Sequence, residues 1–600
     1  MSTIARIQRA GALATLLATP LGCREPTEAV LDITTDGDCK EVGGTGITPG
    51  PIGAIESRPF ATTTSSCTNG EIGSMVLVPP DGPKDTPFAF KVVTSLGTPI
   101  ENCTGPTYGE GCIVSRRAMR FVPHHAFHVP VRMSQACAGV SCPEDQTCVD
   151  GICRSVTVDP NGCDDPAGCE PDPTDIPIFQ TQFGGAGQQM ARHLALGDDG
   201  ALALVGNFDG ELDLGGGALM HQGGSDIFLA SFSHAGVHRW SRSFGGDGMD
   251  EGVAVATDAH SSVYLAASFE QTIDFGGGPL KSKGSTDVAL VKLTSFGTLV
   301  WAIRFGGLLG DAPAKVVADS KGNVHVVGHF TGAMIVGNTT LTAVGGTDIF
   351  LASFDSSGKS RWAKSFGGPE DDGANGVGID ADDNIYLAGY FRGDLAIDEA
   401  TKLHSLGTGD VLVASFNKDG APRWAKSFGG KANDLALDLA ARDDRIVVTG
   451  TLASKATLDG TTIPAGPADG FVTSFEKDGT LAWAASFGGE GNDRGSSVAI
   501  APDGSLVIGG DTYSGSIFNA APTKPRGVIS PFVAVLERNG TPRWAKTFAS
   551  ALFASTTGVG APKDGAAFLA GWFADALDAD GTPFKSKGAE DLMLLRVEAP

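Results

Sequence analysis

A sevenfold internal repeat governs what this chain can fold into. The tripeptide FGG begins at Phe183, Phe244, Phe305, Phe366, Phe428 and Phe487, a degenerate copy, FAS, begins at Phe548, and successive spacings lie between 59 and 62 residues. Four residues before each copy stands an aromatic: Phe179, Trp240, Trp301, Trp362, Trp424, Trp483 and Trp544. Within each period four short β patterns recur, as in GVGID, NIYLAGYF, DVLVASF and RWAKSF between residues 376 and 428. β-branched and aromatic residues bounded by Gly and Asp favour strands over helices. The third pattern is apolar nearly throughout, which suits a strand buried on both faces. The first is rich in small residues, as strands crowded around a central axis require. Four antiparallel strands per period, stacked radially, make a propeller blade whose two faces are hidden by its neighbours.

The ends of the repeat region predict closure. The stretch IPIFQTQF (176–183) is a fourth pattern with no first pattern before it, and DLMLLRV (591–597) is a third pattern with no fourth behind it. Pairing the two completes a seventh blade and leaves no free sheet edge. Each repeated Trp, if fully buried, removes roughly 150–250 Å² from water, about 4–6 kcal/mol as an upper bound. The string DVLVASFNKDGAPRWAKSFGG (410–430), with segments such as GNVHVVGHF (322–330), resembles the bacterial seven-bladed β-propeller (SBBP) repeat. The likeness covers residues 177–600, apart from the last few. It implies the architecture and an exported location, and it carries no catalytic residues. The seventh copy departs most, with FAS for FGG.

The first third differs chemically. All 11 cysteines fall between Cys23 and Cys169. Residues 1–22 carry Arg6 and Arg9 and then ALATLLATPLG, the order of a secretory signal peptide, too short to span a bilayer. Leu21, Gly22 and Cys23 resemble a bacterial lipobox, which implies acylation of the Cys23 thiol, although the family's leucine sits one place earlier, where Pro20 stands here. Such a lipid anchor holds a protein at a membrane without a membrane helix; the alternative is an ordinary cleaved signal and a secreted or periplasmic protein. The other ten cysteines are an even number in an exported chain, so disulfides are expected before zinc.

Residues 23–133 contain strand-like runs, AVLDITTD, GSMVLVPP, PFAFKVVTSL and FHVPVRM, and read as a small β-sandwich stapled by Cys39, Cys67, Cys103 and Cys112. Residues 134–156 hold Cys137, Cys142, Cys148 and Cys153 in CAGVSCPEDQTCVDGIC, which resembles half of an EGF-like module with almost no core of its own. Four cysteines allow three pairings, and spacing does not choose among them. Residues 157–176 are rich in Pro and Asp and read as a linker tied by Cys163 and Cys169.

The formal charge of −25, from 44 Lys and Arg against 69 Asp and Glu, repels a phosphate backbone and excludes nucleic acid as a partner. Two acidic columns run through the repeats. One precedes the third strand (Asp226, Asp287, Asp348, Asp410, Asp469, Asp591); the other follows FGG (Asp250, Asp311, Asp372, Asp434, Asp493). Up-and-down topology places both on the face that also carries the long loops, such as 209–225. Either they form a rim of carboxylates for a cation, a sugar hydroxyl or a basic partner, or each Asp bonds its own turn. The irregular copy DTYSGSIFNAAPTKPRGVIS (511–530) adds Tyr513, Lys524 and Arg526 to this rim as candidate contacts.

Two metal or cofactor readings are weaker than their structural alternatives. His124, His125 and His128 in PHHAFHVP lie between prolines that disfavour a helix, and strand spacing sets the outer two about 13 Å apart, too far for one zinc. The pattern DxxGxxxW, as in Asp355 to Trp362, resembles the blade motif of quinone-cofactor dehydrogenases, yet the repeats lack those enzymes' paired cysteines; a hairpin followed by a packing Trp accounts for it. No cofactor or metal is expected, and no nucleophile, metalloprotease or phosphate-loop motif is present. The expected role is a non-catalytic envelope binding or scaffold lipoprotein, on the outer membrane or cell surface, that meets a protein or glycan. The alternatives are an enzyme acting on extracellular glycans and a purely structural envelope component.

Overall fold

In the computed structural model the described residues are 27–599, except 36–38, 52, 57, 69, 80–86, 105–107, 109–110, 123–125, 135–136, 141, 150–151, 159–177, 198–199, 233–235, 237, 259–261, 295–296, 467, 490, 514–516, 519–528 and 563. The chain divides into two compact units, Met1–Pro177 and Ile178–Pro600. Cys23, His124, His125, Cys163, Cys169, Lys524 and Arg526 lie outside the described residues.

The second unit holds the repeats. In the first of them Gln189–Leu196, Leu202–Phe208, Asp226–Phe232 and His238–Phe244 pair antiparallel in chain order, with Asn207 opposite Ile227 and Leu229 opposite Arg242. The same order recurs. Among the described residues the repeats give five separate four-stranded sheets and one eight-stranded sheet, in which two such sets are joined where Gly306 and Gly307 pair with Ile335 and Met334. In the last sheet the fourth place is taken by Phe179–Phe183, which pairs with Thr582–Val597 so that Phe179 faces Arg596 and Phe183 faces Leu592. The second and third strands are buried almost throughout, as their apolar runs require.

Packing between sheets is equally regular. Each of seven hydrophobic clusters draws its residues from two neighbouring four-stranded sets; one combines Leu229 and Val205 with Val255 and Leu265, another Leu387 and Leu412 with Val327 and Leu351. The cluster that holds Phe568, Leu592 and Leu594 of the last repeat also holds Leu194, Leu204 and Phe228 of the first.

The repeated tryptophans act as latches rather than fully buried core. Trp240 is buried, whereas Trp301, Trp362, Trp424, Trp483 and Trp544 are half-buried, so their contribution falls below the fully buried limit. All but Trp544 lie over the turn glycine of the following repeat: a Cβ on Gly297 would lie 2.6 Å from the Trp240 ring and one on Gly479 2.8 Å from Trp424. Both glycines have positive φ, which L side chains rarely adopt. The indole Nε1–H donates to a carbonyl of that same turn, from Trp301 to Ser356 at 3.0 Å, Trp424 to Lys477 at 2.9 Å and Trp483 to Arg538 at 3.0 Å. This explains DxxGxxxW: a tight hairpin built to receive its neighbour's indole.

The first unit contains a three-stranded sheet, in which Glu28–Thr35 pairs antiparallel with Glu71–Leu77 and parallel with Ala126–Met133, and a four-stranded sheet of Thr62–Thr64, Val42–Gly50, Pro87–Leu96 and Cys112–Arg120. Leu31, Ile33, Val129 and Val131 meet Phe88, Phe90, Val92 and Met119 in the core. Disulfides join Cys39 to Cys67 and Cys103 to Cys112, as expected for the sandwich. The cysteine-rich segment pairs first with third and second with fourth, Cys137–Cys148 and Cys142–Cys153. It is not a separate module: Cys137 and Cys148 join the sandwich core, Thr147 Oγ1 accepts the Arg116 N–H at 2.8 Å, and Ala118 bridges to Thr157. At its edge Glu56 gathers Arg116 at 2.5 Å, Lys91 at 3.2 Å and the Tyr108 hydroxyl at 2.9 Å. Burial disfavours the Glu56 charge, but Arg116 and Lys91 outweigh it and hold the carboxyl below its ordinary range.

Candidate functional site

The long-loop end of the repeat unit is built around the two acidic columns. In the first column one oxygen accepts a backbone N–H from four residues earlier: Gln222 to Asp226 at 2.8 Å, Lys283 to Asp287 at 3.1 Å, Val344 to Asp348 at 2.9 Å and Leu406 to Asp410 at 3.1 Å. In the second column one oxygen accepts the N–H of the second FGG glycine: Gly246 to Asp250 at 2.8 Å, Gly307 to Asp311 at 2.6 Å, Gly368 to Asp372 at 2.7 Å, Gly430 to Asp434 at 2.7 Å and Gly489 to Asp493 at 3.0 Å. The other oxygen takes an N–H just after the second strand of the next repeat, from Glu270, Arg392, Ala453 and Tyr513 in turn to Asp250, Asp372, Asp434 and Asp493. Each side chain therefore ties one repeat to the next.

This explains both glycines. A Cβ on the first would collide with the first-column carboxylate, as at Gly245 with Asp226 and Gly367 with Asp348. A Cβ on the second would collide with the carbonyl of the incoming loop, Ala333 at Gly307 and Asp394 at Gly368. The five second-column carboxylates are at most 1% exposed. They are not presented to solvent, which corrects the reading of Asp250, Asp311, Asp372, Asp434 and Asp493 as a binding rim. Burial, with the first-column neighbour adding to it, pushes Asp311 up to about 7 and Asp250 and Asp372 up to about 6. Tyr513 is exposed on this rim, as expected. His128 pairs with Asp32 at 2.7 Å on the surface of the first unit.

What this end does present is apolar. Met220, Met249, Leu308, Leu309, Val344, Leu406, Tyr513, Leu552 and Phe553, all on these loops, are between 46% and 75% exposed. Elsewhere among the unit's described large apolar residues only Ile178 and Val300 share that exposure. The loops interleave: a Cβ on Gly332 would lie 3.0 Å from Leu309 Cδ1, and one on Gly224 3.4 Å from Met249 Cγ. The acidic pattern drew attention to this face, but apart from Tyr513 these residues were missed. Their signal was positional, since Val344 and Leu406 stand four residues before a first-column Asp and Leu308 and Leu309 directly follow FGG.

A second polar group lies on the innermost strands and was also missed. Every first strand carries a bulge at the same place, as between Ala191 and His193 or Ala436 and Asp438. The residues just past the bulges include His193, Lys315, Asp438 and Ser497. Lys315 Nζ meets Asp438 Oδ1 at 2.7 Å. Asp438 also accepts the Leu439 N–H at 2.8 Å, the Val498 N–H at 3.0 Å and the Ser497 hydroxyl at 3.1 Å, while Ser497 Oγ accepts the Val559 N–H at 3.3 Å. His193 Nδ1 lies 3.0 Å from the Val255 carbonyl, and burial, helped by the Lys315 charge, depresses its pKa. These side chains supply partners to the unpaired edges of adjacent inner strands. The Ser497 hydroxyl donates to a carboxylate already held by the Lys315 ammonium and two backbone N–H groups, which makes that carboxylate a poor base for activating it.

No protein-family model matches the chain. It is 21% identical over 460 residues to an uncharacterised WD repeat-containing protein of Acanthamoeba polyphaga mimivirus, covering 60% of this chain and 33% of that one. It is 25% identical over 355 residues to the regulatory protein FlaEY of Caulobacter vibrioides, covering 53% and 36%. The chain thus spans about a third of the length of these curated relatives. The solved structure of YCF48 bound to D1 peptide aligns over 71% of this chain and 96% of its own, at 7% identity and a TM-score of 0.33. The repeated four-stranded antiparallel sheets fit a β-propeller repeat protein. Its all-β sheets carry disulfides in the first unit, and disulfides are the mark of an oxidising, exported setting. No helix among the described residues is long and apolar enough to cross a membrane.

Proposed function

We propose that the chain is an exported lipoprotein, acylated at Cys23, whose repeats form a closed seven-bladed propeller of the SBBP type that holds a protein partner on its long-loop face without catalysing a reaction. Closure is supported by the pairing of Phe179–Phe183 with Thr582–Val597 and by the cluster that unites Phe568 and Leu594 with Leu204 and Phe228. The observation that carries the binding role is the gathering of nine exposed large apolar residues on the long loops. Contiguous apolar surface on a folded unit marks an interaction site. Mainly aliphatic Met, Leu and Val side chains suit a polypeptide better than a sugar, which is held by polar groups and aromatic platforms. The likeness to a WD repeat-containing protein and to a regulatory protein points the same way. A glycan-cleaving role would need two accessible acids about 5–9.5 Å apart in a cleft, whereas the paired aspartates are closed under turns.

The test is retention of envelope proteins on the immobilised full-length protein, compared with a Leu308→Lys/Leu309→Lys/Leu406→Lys variant and a Val300→Lys control. Loss of one specific partner in the rim variant and its retention in the control is the expected result. Equal retention by all three proteins, or binding confined to a glycan array, overturns it.

A further inference from the structure

Five repeats carry an aspartate in both columns, and in two of them both side chains are placed against the first FGG glycine. A Cβ on Gly429 would lie 2.7 Å from Asp410 Oδ1 and 2.7 Å from Asp434 Oδ2; one on Gly306 would lie 2.7 Å from Asp287 Oδ1 and 2.9 Å from Asp311 Oδ2. Asp226, Asp287, Asp348 and Asp410 are at most 1% exposed, yet Oδ1 of each has no hydrogen-bond partner, and neither has Oδ1 of buried Asp311. Two buried carboxylates so close cannot both stay ionised without a counter-charge.

Positive charge is scarce around them. Arg304 reaches Asp287 at 2.6 Å, His221 and His404 act on Asp226 and Asp410 from a distance, and Arg494 lies beside Asp511 next to Asp493. Glu270 and Asp371 add negative charge beside Asp250 and Asp372. The other two repeats show what the position tolerates. Where Asp591 stands in the first column the second holds Gln189, whose amide oxygen accepts the Gly185 N–H at 3.2 Å; where the first column holds Ser530 the second holds Ala554. Where the two columns are not both acidic, the second is always neutral.

We propose that in each of four buried pairs, Asp226 with Asp250, Asp287 with Asp311, Asp348 with Asp372 and Asp410 with Asp434, the second-column member holds a proton on the acid side of neutrality and donates it to the first, so that these repeat junctions are fastened by carboxyl–carboxylate hydrogen bonds that alkali releases. This proton gives the unpartnered oxygens a partner and removes one charge per junction. An unfolded aspartate loses its proton near 3.8 and Asp311 in the folded protein at about 7, so between those values the folded chain binds more protons. Stability contributed by the pair is present on the acid side and is lost as pH rises through the folded value.

The test compares full-length wild type with Asp311→Asn and Asp372→Asn, following urea unfolding by tryptophan fluorescence at pH 5 and pH 8. Asparagine mimics the protonated member, so the variants should be at least as stable as wild type at pH 8. Relative to Asp311→Asn, the wild-type unfolding constant should rise about tenfold or more from pH 5 to pH 8; comparing the two proteins cancels the shared histidines. An infrared carbonyl band of protonated carboxylic acid in the folded protein at pH 6, weakened in the double variant, is the second expected result. Variants that lose the same stability at both pH values, absence of that band, or a wild-type midpoint that falls on adding EDTA and recovers with calcium would each overturn the proposal, the last by putting a cation where the proton is placed.

Discussion

Replacing Asp438 by Ala tests whether the polar group on the inner strands is a structural hub. Asp438 is 2% exposed and takes an ion pair from Lys315, two backbone N–H groups and the Ser497 hydroxyl. Its removal leaves a largely buried ammonium and three donors without their acceptor. Breaking a buried pair from one side costs about 3–5 kcal/mol. The converse change, Lys315→Met, leaves the carboxylate with three donors still in place, and a lost charge-assisted bond of this kind costs about 1.5–3 kcal/mol. Lys315 also keeps 12% side-chain exposure, so its charge can turn partly to water, which sets the first figure nearer the lower end. The double variant should recover at least about 1 kcal/mol of the Asp438→Ala loss, because no stranded charge remains. All 7 tryptophans lie in the repeat unit, so urea unfolding followed by fluorescence reads this unit alone. Equal losses from the two single variants, or strict additivity in the double, would refute the assignment of Asp438 as the hub.

Three further outcomes follow from the packing. Gly307→Ala drives a methyl into the Ala333 carbonyl, a backbone atom that cannot rotate away, and should cost about 3 kcal/mol or more by urea midpoint, whereas Val344→Ala on the exposed rim should stay within about 0.5 kcal/mol. Deleting residues 178–183 removes the strand opposite Leu592–Arg596; if closure is as proposed, the bared edge should make the protein self-associate in light scattering, and a monomer of unchanged stability would contradict it. Reduction with dithiothreitol should abolish the transition of the first unit, whose described disulfides all lie between Cys39 and Cys153, and leave the fluorescence transition of the repeats in place.

The repeat was legible because seven copies average out local ambiguity: four strands per period, the tight DxxG turn and the pairing of residues near Phe179 with those near Leu594 could all be anticipated. Direction of side chains was not. An Asp beside a loop looks like surface, and only the cavity left by the first glycine of FGG, such as Gly245 beneath Asp226, turns it inward. The inner-strand bulges have no sequence mark, so nothing in the spacing of Lys315 and Asp438 announced that strands more than a hundred residues apart would bring them to 2.7 Å. The half-buried indoles were read as core because Trp usually is, whereas here Trp301, Trp424 and Trp483 each turn an N–H to a neighbouring turn. Four cysteines permitted three pairings until the strands Gln146–Val149 and Ile152–Ser155 set Cys148 opposite Cys153 and each found its partner upstream.

Repetition and its interruption separate construction from recognition in this molecule. The aspartates, glycines and tryptophans that recur at fixed offsets bond to the next repeat, so a change at one of them loosens a junction wherever it occurs. The exposed residues on the same loops do not recur in every copy: the fifth place after the FGG or FAS phenylalanine holds Met249, Gly310, Asp371 and Phe553 in different repeats, and Tyr513 extends only the sixth repeat. A surface needed only for solubility would carry charge at those places in every copy. Apolar side chains that differ from blade to blade form an asymmetric face on a symmetric frame, and asymmetry is what lets a partner dock in a single orientation. Exchanging Leu308 and Leu309 with the residues at the same offset in the next repeat, Pro369 and Glu370, should therefore abolish partner retention while leaving the urea midpoint unchanged; retention undiminished by that exchange would mean that the rim is not read residue by residue.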